Sequence, residues 1–192
     1  MSHNAMTVPG NRGAVLADRL PGTWVRDVTL VAGFVVALGV SAQIAVPLPF
    51  TPVPITMQTF VVLLGAATLG ARRSVTGAAV YAGLGVAGAP WFAITGGATL
   101  GYIMGFIFAA ALVGRLARSG HDRRPLGVIG LMVAGNLVIY GFGVPVLAAV
   151  AGLGIIEALV AGVVPFLIGD ALKIVLAVAI LPSTWHLVSR RD

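Results

Sequence analysis

The sequence predicts an all-α integral membrane protein, a bundle of six transmembrane helices with both termini in the cytoplasm. Of the 192 residues, 58% are hydrophobic and only 9% are charged, whereas an ordinary soluble domain carries about 25% charged residues. Such a chain has too few polar side chains to cover a surface that faces water. Its apolar runs are long and continuous, which favours membrane helices over the alternating strands of a barrel.

Six apolar segments predict the six spans. They cover residues 28–46, 55–69, 75–87, 100–116, 126–150 and 165–181, and a further apolar stretch covers 152–164. The second and third segments are shorter than the ~20 residues of a full span, so we expect them to extend into flanking residues or to be shielded by neighbouring helices. We predict a polar, disordered leader at 1–25, one membrane domain at 26–186 and a basic cytoplasmic tail at 187–192.

The basic residues predict the orientation. Eleven of the twelve Lys and Arg residues lie before the first segment, in alternate connections or at the C-terminus: Arg12, Arg19, Arg26, Arg72, Arg73, Arg115, Arg118, Arg123, Arg124, Arg190 and Arg191. The connections at 47–54, 88–99 and 151–164 contain none. The positive-inside rule therefore places the basic connections and both termini in the cytoplasm.

One competing interpretation is a cleaved signal peptide, because Val40-Ser41-Ala42 resembles a signal-peptidase site after an apolar run. The run continues past this site, which favours a retained first helix.

The twelfth cation, Lys173, lies in the last segment with Asp170. If Pro165 begins this helix, the two side chains lie ~12 and ~8 Å below the outer boundary, on one helix face at i, i+3. Each ionised group in the membrane costs about 3 kcal/mol, so a functional pair is the default expectation. An ion pair that only fixes helix packing is the structural alternative.

Polar residues at similar depths are the other candidate ligand contacts. Asn136 and Tyr140 stand at i, i+4 in the fifth segment. Gln58 and Gln43 are further candidates to complete the polar lining of a small, outward-facing cavity. Each could instead only bond a neighbouring helix, which is the interpretation favoured for Gln43.

The connections without basic residues differ from one another in composition. The segment 47–54 has four prolines in eight residues, which predicts a stiff, extended lid or a rigid connector. Trp91 in the next connection is either an interfacial anchor or a ring that packs on an apolar ligand. Glu157 is expected to be interfacial.

The first segment carries small residues at strict four-residue spacing: Gly33, Ala37, Ser41 and Ala45. This pattern predicts one smooth stripe, either a packing face within the chain or a docking surface for another membrane subunit.

The motifs of several functional classes are missing from the sequence. The chain has no cysteine, and its three histidines are far apart, so no metal site is predicted. No phosphate-binding G-x-x-x-x-G-K-[ST] loop and no hydrolase motif is present, so we expect neither ATP hydrolysis by this chain nor an enzyme. Its positive charge is explained by topology and does not indicate nucleic-acid binding.

Four motifs resemble the BioY family of biotin transporters. They are VPLPFTPVPITMQTF at 46–60, GYIMGF at 101–106, GNLVIY at 135–140 and PFLIGDALK at 165–173. The resemblance implies a six-helix substrate-capture subunit of an energy-coupling factor importer in a prokaryotic plasma membrane. It also implies biotin as the substrate, no cofactor, and two kinds of partner, a membrane scaffold subunit and two cytoplasmic ATPase subunits.

The resemblance further implies roles for particular residues. Asp170 would accept a ureido N–H of biotin, Lys173 would bind an anionic or carbonyl oxygen, and Trp91 or Tyr140 would contact the ring. The ladder from Gly33 to Ala45 would contact the scaffold. The connection at 91–97 is shorter than in the family, so its ligand contacts cannot be assigned.

Two other functions are consistent with the same residues. One is a self-sufficient secondary transporter of biotin or a related small anion, with Asp170 as the proton-coupled group. The other is a structural or assembly factor in which Asp170 and Lys173 only lock helices together.

Overall fold

A computed structural model of the chain describes residues 14–20, 22, 24–90 and 97–189. Within these residues the chain forms seven α-helices and one β-hairpin. In chain order they are α1 (Trp24–Gln43), β1 (Ala45–Leu48), β2 (Thr51–Thr56), α2 (Gln58–Leu69), α3 (Ala71–Val86), α4 (Leu100–Arg118), α5 (Pro125–Ala151), α6 (Ile155–Gly162) and α7 (Phe166–Ser189). Two short 3-10 turns, Leu16–Arg19 and His121–Arg123, precede α1 and α5.

Four of the described helices, α1, α4, α5 and α7, are long and apolar enough to cross a membrane. With 12 and 16 residues, α2 and α3 are shorter. At ~1.5 Å per residue they reach about 18 and 24 Å, less than the ~30 Å of a hydrocarbon core. The predicted helical membrane protein is confirmed, and the count of six spans stays a prediction. The apolar stretch 152–164 contains the additional short helix α6.

Glycines on α4 allow its backbone to approach α5 closely. A Cβ atom added at Gly101 would lie 2.6 Å from the carbonyl oxygen of Phe142, and one added at Gly105 would lie 2.8 Å from the Cα of Ile139. These glycines are four residues apart, the small-xxx-small spacing typical of membrane helix pairs. α4 also packs on α2 and α3, which makes it the central helix of the bundle.

The proline-rich connection is a two-stranded antiparallel hairpin. Its register is irregular between Val46 and Leu48, where Pro47 has no N–H to donate to the ladder. The backbone is extended at 47–48 and 51–54, as predicted, but residues 49–50 form a turn and the pairing of the two strands was not predicted.

One end of the bundle, which we call the basic end, contains the 3-10 turns, the α2–α3 turn and the C-terminal ends of α4 and α7. Here Arg73 pairs with Asp18 at 2.8 Å and with Asp27 at 3.0 Å. Val15 is fully buried. The prediction of a disordered leader over 1–25 is therefore wrong for residues 14–20 and for 24–25, because burial and ion pairs hold the former and α1 begins at Trp24. Residues 1–13 lie outside the described part of the chain.

The basic end also holds a buried carboxylate. Asp122 is fully buried and accepts a hydrogen bond from Trp185 Nε1 at 2.5 Å. Burial raises the pKa of Asp122 above its usual value. The guanidinium of Arg123 lies 4.3 Å from the centre of the Trp185 ring. These contacts hold the end of α7, which continues to Ser189, past the predicted domain boundary at 186.

The ladder of small residues in the first segment does not form one exposed stripe. Gly33 is exposed and Ala37 is half-buried, but Ser41 is buried and its hydroxyl donates to the Leu38 carbonyl at 2.9 Å. Ala45 lies in β1, beyond the end of α1. The predicted continuous stripe is wrong because strict four-residue spacing drifts around a 3.6-residue helix and α1 ends before the ladder does.

The close α4–α5 approach gives a stability prediction. Gly105→Ala is expected to destabilise the protein by about 1–3 kcal/mol, because the new methyl group overlaps the α5 backbone. Gly141→Ala is the matched control, since a Cβ at Gly141 meets nothing within 4 Å. Thermal unfolding of the detergent-solubilised variants measures both. Equal melting temperatures for the two variants would contradict the packing described here.

Candidate ligand-binding site

A cavity of about 290 Å³ lies near the end of the bundle opposite the basic end, beside the hairpin. It is enclosed by residues from the hairpin and from α1, α2, α3, α4, α5 and α7. Its polar lining comprises Gln43, Thr56, Gln58, Thr59, Tyr81, Thr99, Tyr102, Tyr140, Asp170 and Lys173. More than half of its lining residues are polar. A concave site of this size that combines hydrogen-bonding groups with apolar side chains is suited to a small molecule that has both polar and apolar parts.

The two charged residues of α7 lie at the cavity surface, and their side chains are only 7% and 8% exposed. Lys173 Nζ is 3.3 Å from Asp170 Oδ1 and donates to Thr59 Oγ1 at 2.7 Å. The hydroxyl of Tyr140 donates to Asp170 Oδ2. The pair is therefore held by hydrogen bonds from α2 and α5 as well as by its own attraction, which offsets the cost of burying two charges.

This arrangement leaves hydrogen-bonding capacity for a ligand. An ammonium group has three N–H donors, and Lys173 uses two of them on Thr59 and Asp170. Each oxygen of Asp170 accepts one described bond and has a further lone pair. The pair can thus offer a donor and acceptors side by side to one neutral or anionic polar group.

A second polar group lies where α2 begins. Gln58 Nε2 donates to the Tyr81 hydroxyl at 2.6 Å, and Thr56 Oγ1 donates to Gln58 Oε1 at 3.4 Å. The hairpin supplies Thr56 and α3 supplies Tyr81, so three elements converge on the amide of Gln58. This convergence fixes the orientation of the amide toward the cavity.

Aromatic rings form much of the apolar wall. The Phe166 ring centre lies 6.3 Å from that of Tyr102 and 6.5 Å from that of Tyr140, in tilted arrangements. The hydroxyl of Tyr102 donates to the carbonyl of Gly162 at 2.9 Å. A Cβ at Gly143 or Gly162 would lie 2.5 Å from an atom of Tyr102. The two glycines therefore make room for the ring that joins α4 to α6.

The structure brings together four of the six predicted ligand contacts: Gln58, Tyr140, Asp170 and Lys173 all line the cavity. Asn136 is buried but does not line it, because it lies one helical turn closer to the basic end than Tyr140. Trp91 lies outside the described residues.

Other cavity residues were not assigned to the site from the sequence. Gln43, which was expected to bond a neighbouring helix, lines the cavity, as do Thr59, Tyr81, Tyr102 and Phe166. Thr59, Tyr102 and Phe166 do stand inside the quoted motifs, whereas nothing in the sequence around Tyr81 distinguishes it from other helix residues.

Glu157 also has a defined position. It is exposed, and its carboxylate accepts a hydrogen bond from the Gly154 N–H at 3.0 Å, which caps the start of α6. Among the described residues no group of three His, Cys, Asp or Glu side chains is placed to hold a metal ion.

Comparisons with known proteins agree with the motifs. The model of the BioY family matches residues 8–190. The chain is 36% identical to the biotin transporter BioY of Rhizobium etli, over 79% of this chain and 89% of the relative. It is 38% identical to the biotin transporter BioY of Thermotoga maritima, over 77% of this chain and 88% of that one.

A solved structure shows the same fold. It is a crystal structure described as the S-component for biotin from an ECF-type ABC transporter, with a TM-score of 0.75 and 20% sequence identity. The match covers 85% of this chain and 92% of that one. The family match over residues 8–190 and the relatives above 30% identity establish that the chain belongs to the BioY family.

Proposed function

We propose that this chain binds biotin in the cavity beside the hairpin and delivers it as the substrate-binding membrane subunit of an ECF-type importer. The chain is a multi-pass protein of a prokaryotic plasma membrane, and its relatives are named as transporters. The observation that carries the proposal is the buried Asp170–Lys173 pair at the surface of an aromatic-walled cavity.

The chemistry of biotin fits the groups that line this cavity. Biotin has a ureido group with two N–H donors and one carbonyl oxygen, an apolar bicyclic ring and a carboxylate. Asp170 accepts a ureido N–H, and Lys173 donates to an oxygen, either the ureido carbonyl or the carboxylate. Tyr140 and Phe166 pack against the ring system. A cavity of about 290 Å³ is close to the lower end of the volumes usual for small-molecule sites, which suits a compact vitamin.

The proposed topology has six spans, with α2 and α3 as short spans and α6 as a seventh helix that does not cross the membrane. The basic residues of the described chain support this, because the loop arginines gather at one end of the bundle while the cavity lies near the other. The positive-inside rule then directs the basic end to the cytoplasm and the cavity to the outside.

The proposed partners are a membrane scaffold subunit and two cytoplasmic ATPase subunits. The sequence has no ATP-binding P-loop of its own, and the matched structure is described as one component of an ECF-type ABC transporter. Of the ladder proposed for scaffold contact, Gly33 and Ala37 are at least partly accessible on α1, whereas Ser41 is buried and Ala45 lines the cavity. We therefore restrict the proposed contact to the part of α1 around Gly33.

The site assignment predicts the effect of two substitutions. Asp170→Asn and Lys173→Met are each expected to weaken biotin binding about 10- to 100-fold, because a charge-assisted hydrogen bond contributes about 1.5–3 kcal/mol. Asp27→Asn, which removes a carboxylate at the basic end, is the control and should bind biotin normally. Equilibrium binding of labelled biotin to the detergent-solubilised protein measures this. Wild-type affinity in both cavity variants would refute the site.

The orientation can be tested because the sequence contains no cysteine. Glu157→Cys is expected to react with a membrane-impermeant maleimide in intact cells. Ser119→Cys, in the connection between α4 and α5, is expected to react only after the cells are permeabilised. The reverse pattern would contradict the proposed topology.

Transport should require the energising subunits. Cells that express this chain alone should bind labelled biotin but should not accumulate it against a gradient, since the chain has no ATPase motif. Accumulation by the chain alone that an uncoupler abolishes would instead support the alternative, a secondary transporter coupled to protons through Asp170.

A further inference from the structure

A second cavity lies on the lipid-facing side of the bundle. It is an open groove of about 620 Å³ between α1 and α3, and we call it the α1–α3 groove. Its walls are apolar and include Val28, Ala32 and Val36 from α1 and Val80 and Leu84 from α3. The groove therefore offers an apolar channel to whatever lies beside the protein in the bilayer.

Positive charge lies at the end of this groove that reaches the basic end. Arg73 is engaged by Asp18 and Asp27. Arg72, which also lines the groove, is exposed, and its side chain has no hydrogen bond or ion pair within the described part of the chain. The guanidinium of Arg72 is thus available to an anionic group outside the protein.

The length of the groove matches one leaflet of a bilayer. Along α1 its lining extends from Asp27 to Val36, and along α3 from Arg72 to Leu84. At ~1.5 Å per residue these distances are about 14 and 18 Å. Half of a ~30 Å hydrocarbon core is about 15 Å. An acyl chain whose headgroup lies at the membrane surface beside Arg72 would therefore fill the groove along its length.

We propose that the α1–α3 groove binds an anionic phospholipid, with an acyl chain between the two helices and the phosphate at Arg72. Basic pockets beside transmembrane helices bind acidic lipid headgroups, since the attraction acts where the headgroup region meets the protein. The positive charge of Arg72 favours a lipid with an anionic headgroup. The apolar walls of the groove favour a ligand that carries an acyl chain. The proposal requires only a protein in a bilayer, so it is independent of biotin binding.

Native mass spectrometry of the full-length chain in detergent tests this. Titration with phosphatidylglycerol is expected to give a discrete one-lipid adduct at lower concentration than phosphatidylcholine with the same acyl chains. Arg72→Gln should weaken the phosphatidylglycerol adduct about fivefold, the loss expected for one basic residue near a headgroup. The control Arg124→Gln removes the same charge from an exposed position at the basic end and should leave the adduct unchanged.

A second pair of variants tests the apolar part of the groove. Ala32→Phe should fill the groove and weaken the adducts of both lipids, whereas Ala79→Phe, at an exposed position of α3 outside the groove, should not. If Ala32→Phe does not fold, the comparison of Arg72→Gln with Arg124→Gln still tests whether the α1–α3 groove binds an anionic phospholipid.

Three results would overturn the proposal. Equal weakening by Arg72→Gln and Arg124→Gln would mean unspecific attraction to the basic end. Full competition by soluble glycerol phosphate would mean an anion site without an acyl chain. A dimer in the same spectra that Ala32→Phe dissociates would assign the groove to a second copy of the chain.

Discussion

The burial of Asp170 and Lys173 on α7 is the constraint on which the arrangement of the cavity depends. Neither charge can lie in an apolar bundle without partners, because each would lose the hydration that it has in water. Tyr140 on α5 and Thr59 on α2 supply those partners. The need to satisfy one charged pair therefore ties three helices together at one depth, and the cavity forms where they meet.

Close helix packing by glycine complements this polar cluster. Gly101 and Gly105 bring the backbones of α4 and α5 together, and Gly143 and Gly162 leave room for the ring of Tyr102. Inside a membrane such contacts replace the hydrophobic effect as the source of helix association, because lipid chains are as apolar as the side chains. The same packing sets the aromatic wall against which an apolar ligand would lie.

The helix α7 connects this cavity with the basic end. It carries the charged pair near its start and Trp185 near its end, where Trp185 bonds the buried Asp122. Residues 14–20 pack at the same end through the Asp18–Arg73 ion pair. One continuous helix thus links the charged pair at the cavity with the surface at which cytoplasmic partners are proposed to act.

The sequence by itself determined the helical membrane character and the placement of most helices, and it predicted that Asp170 and Lys173 form a pair at a cavity, because hydropathy and intramembrane charge are local properties. Tyr140 and Gln58 were also predicted, since depth along a helix follows from residue number. Only the tertiary structure placed Tyr81, Tyr102 and Thr59 at the cavity. It also showed that Asn136 does not line the cavity and that two strands pair in the hairpin. It also ordered residues 14–20 and buried Ser41. These features depend on how helices rotate and pack against one another, and rotation is decided by contacts between residues far apart in the chain, which no local pattern records.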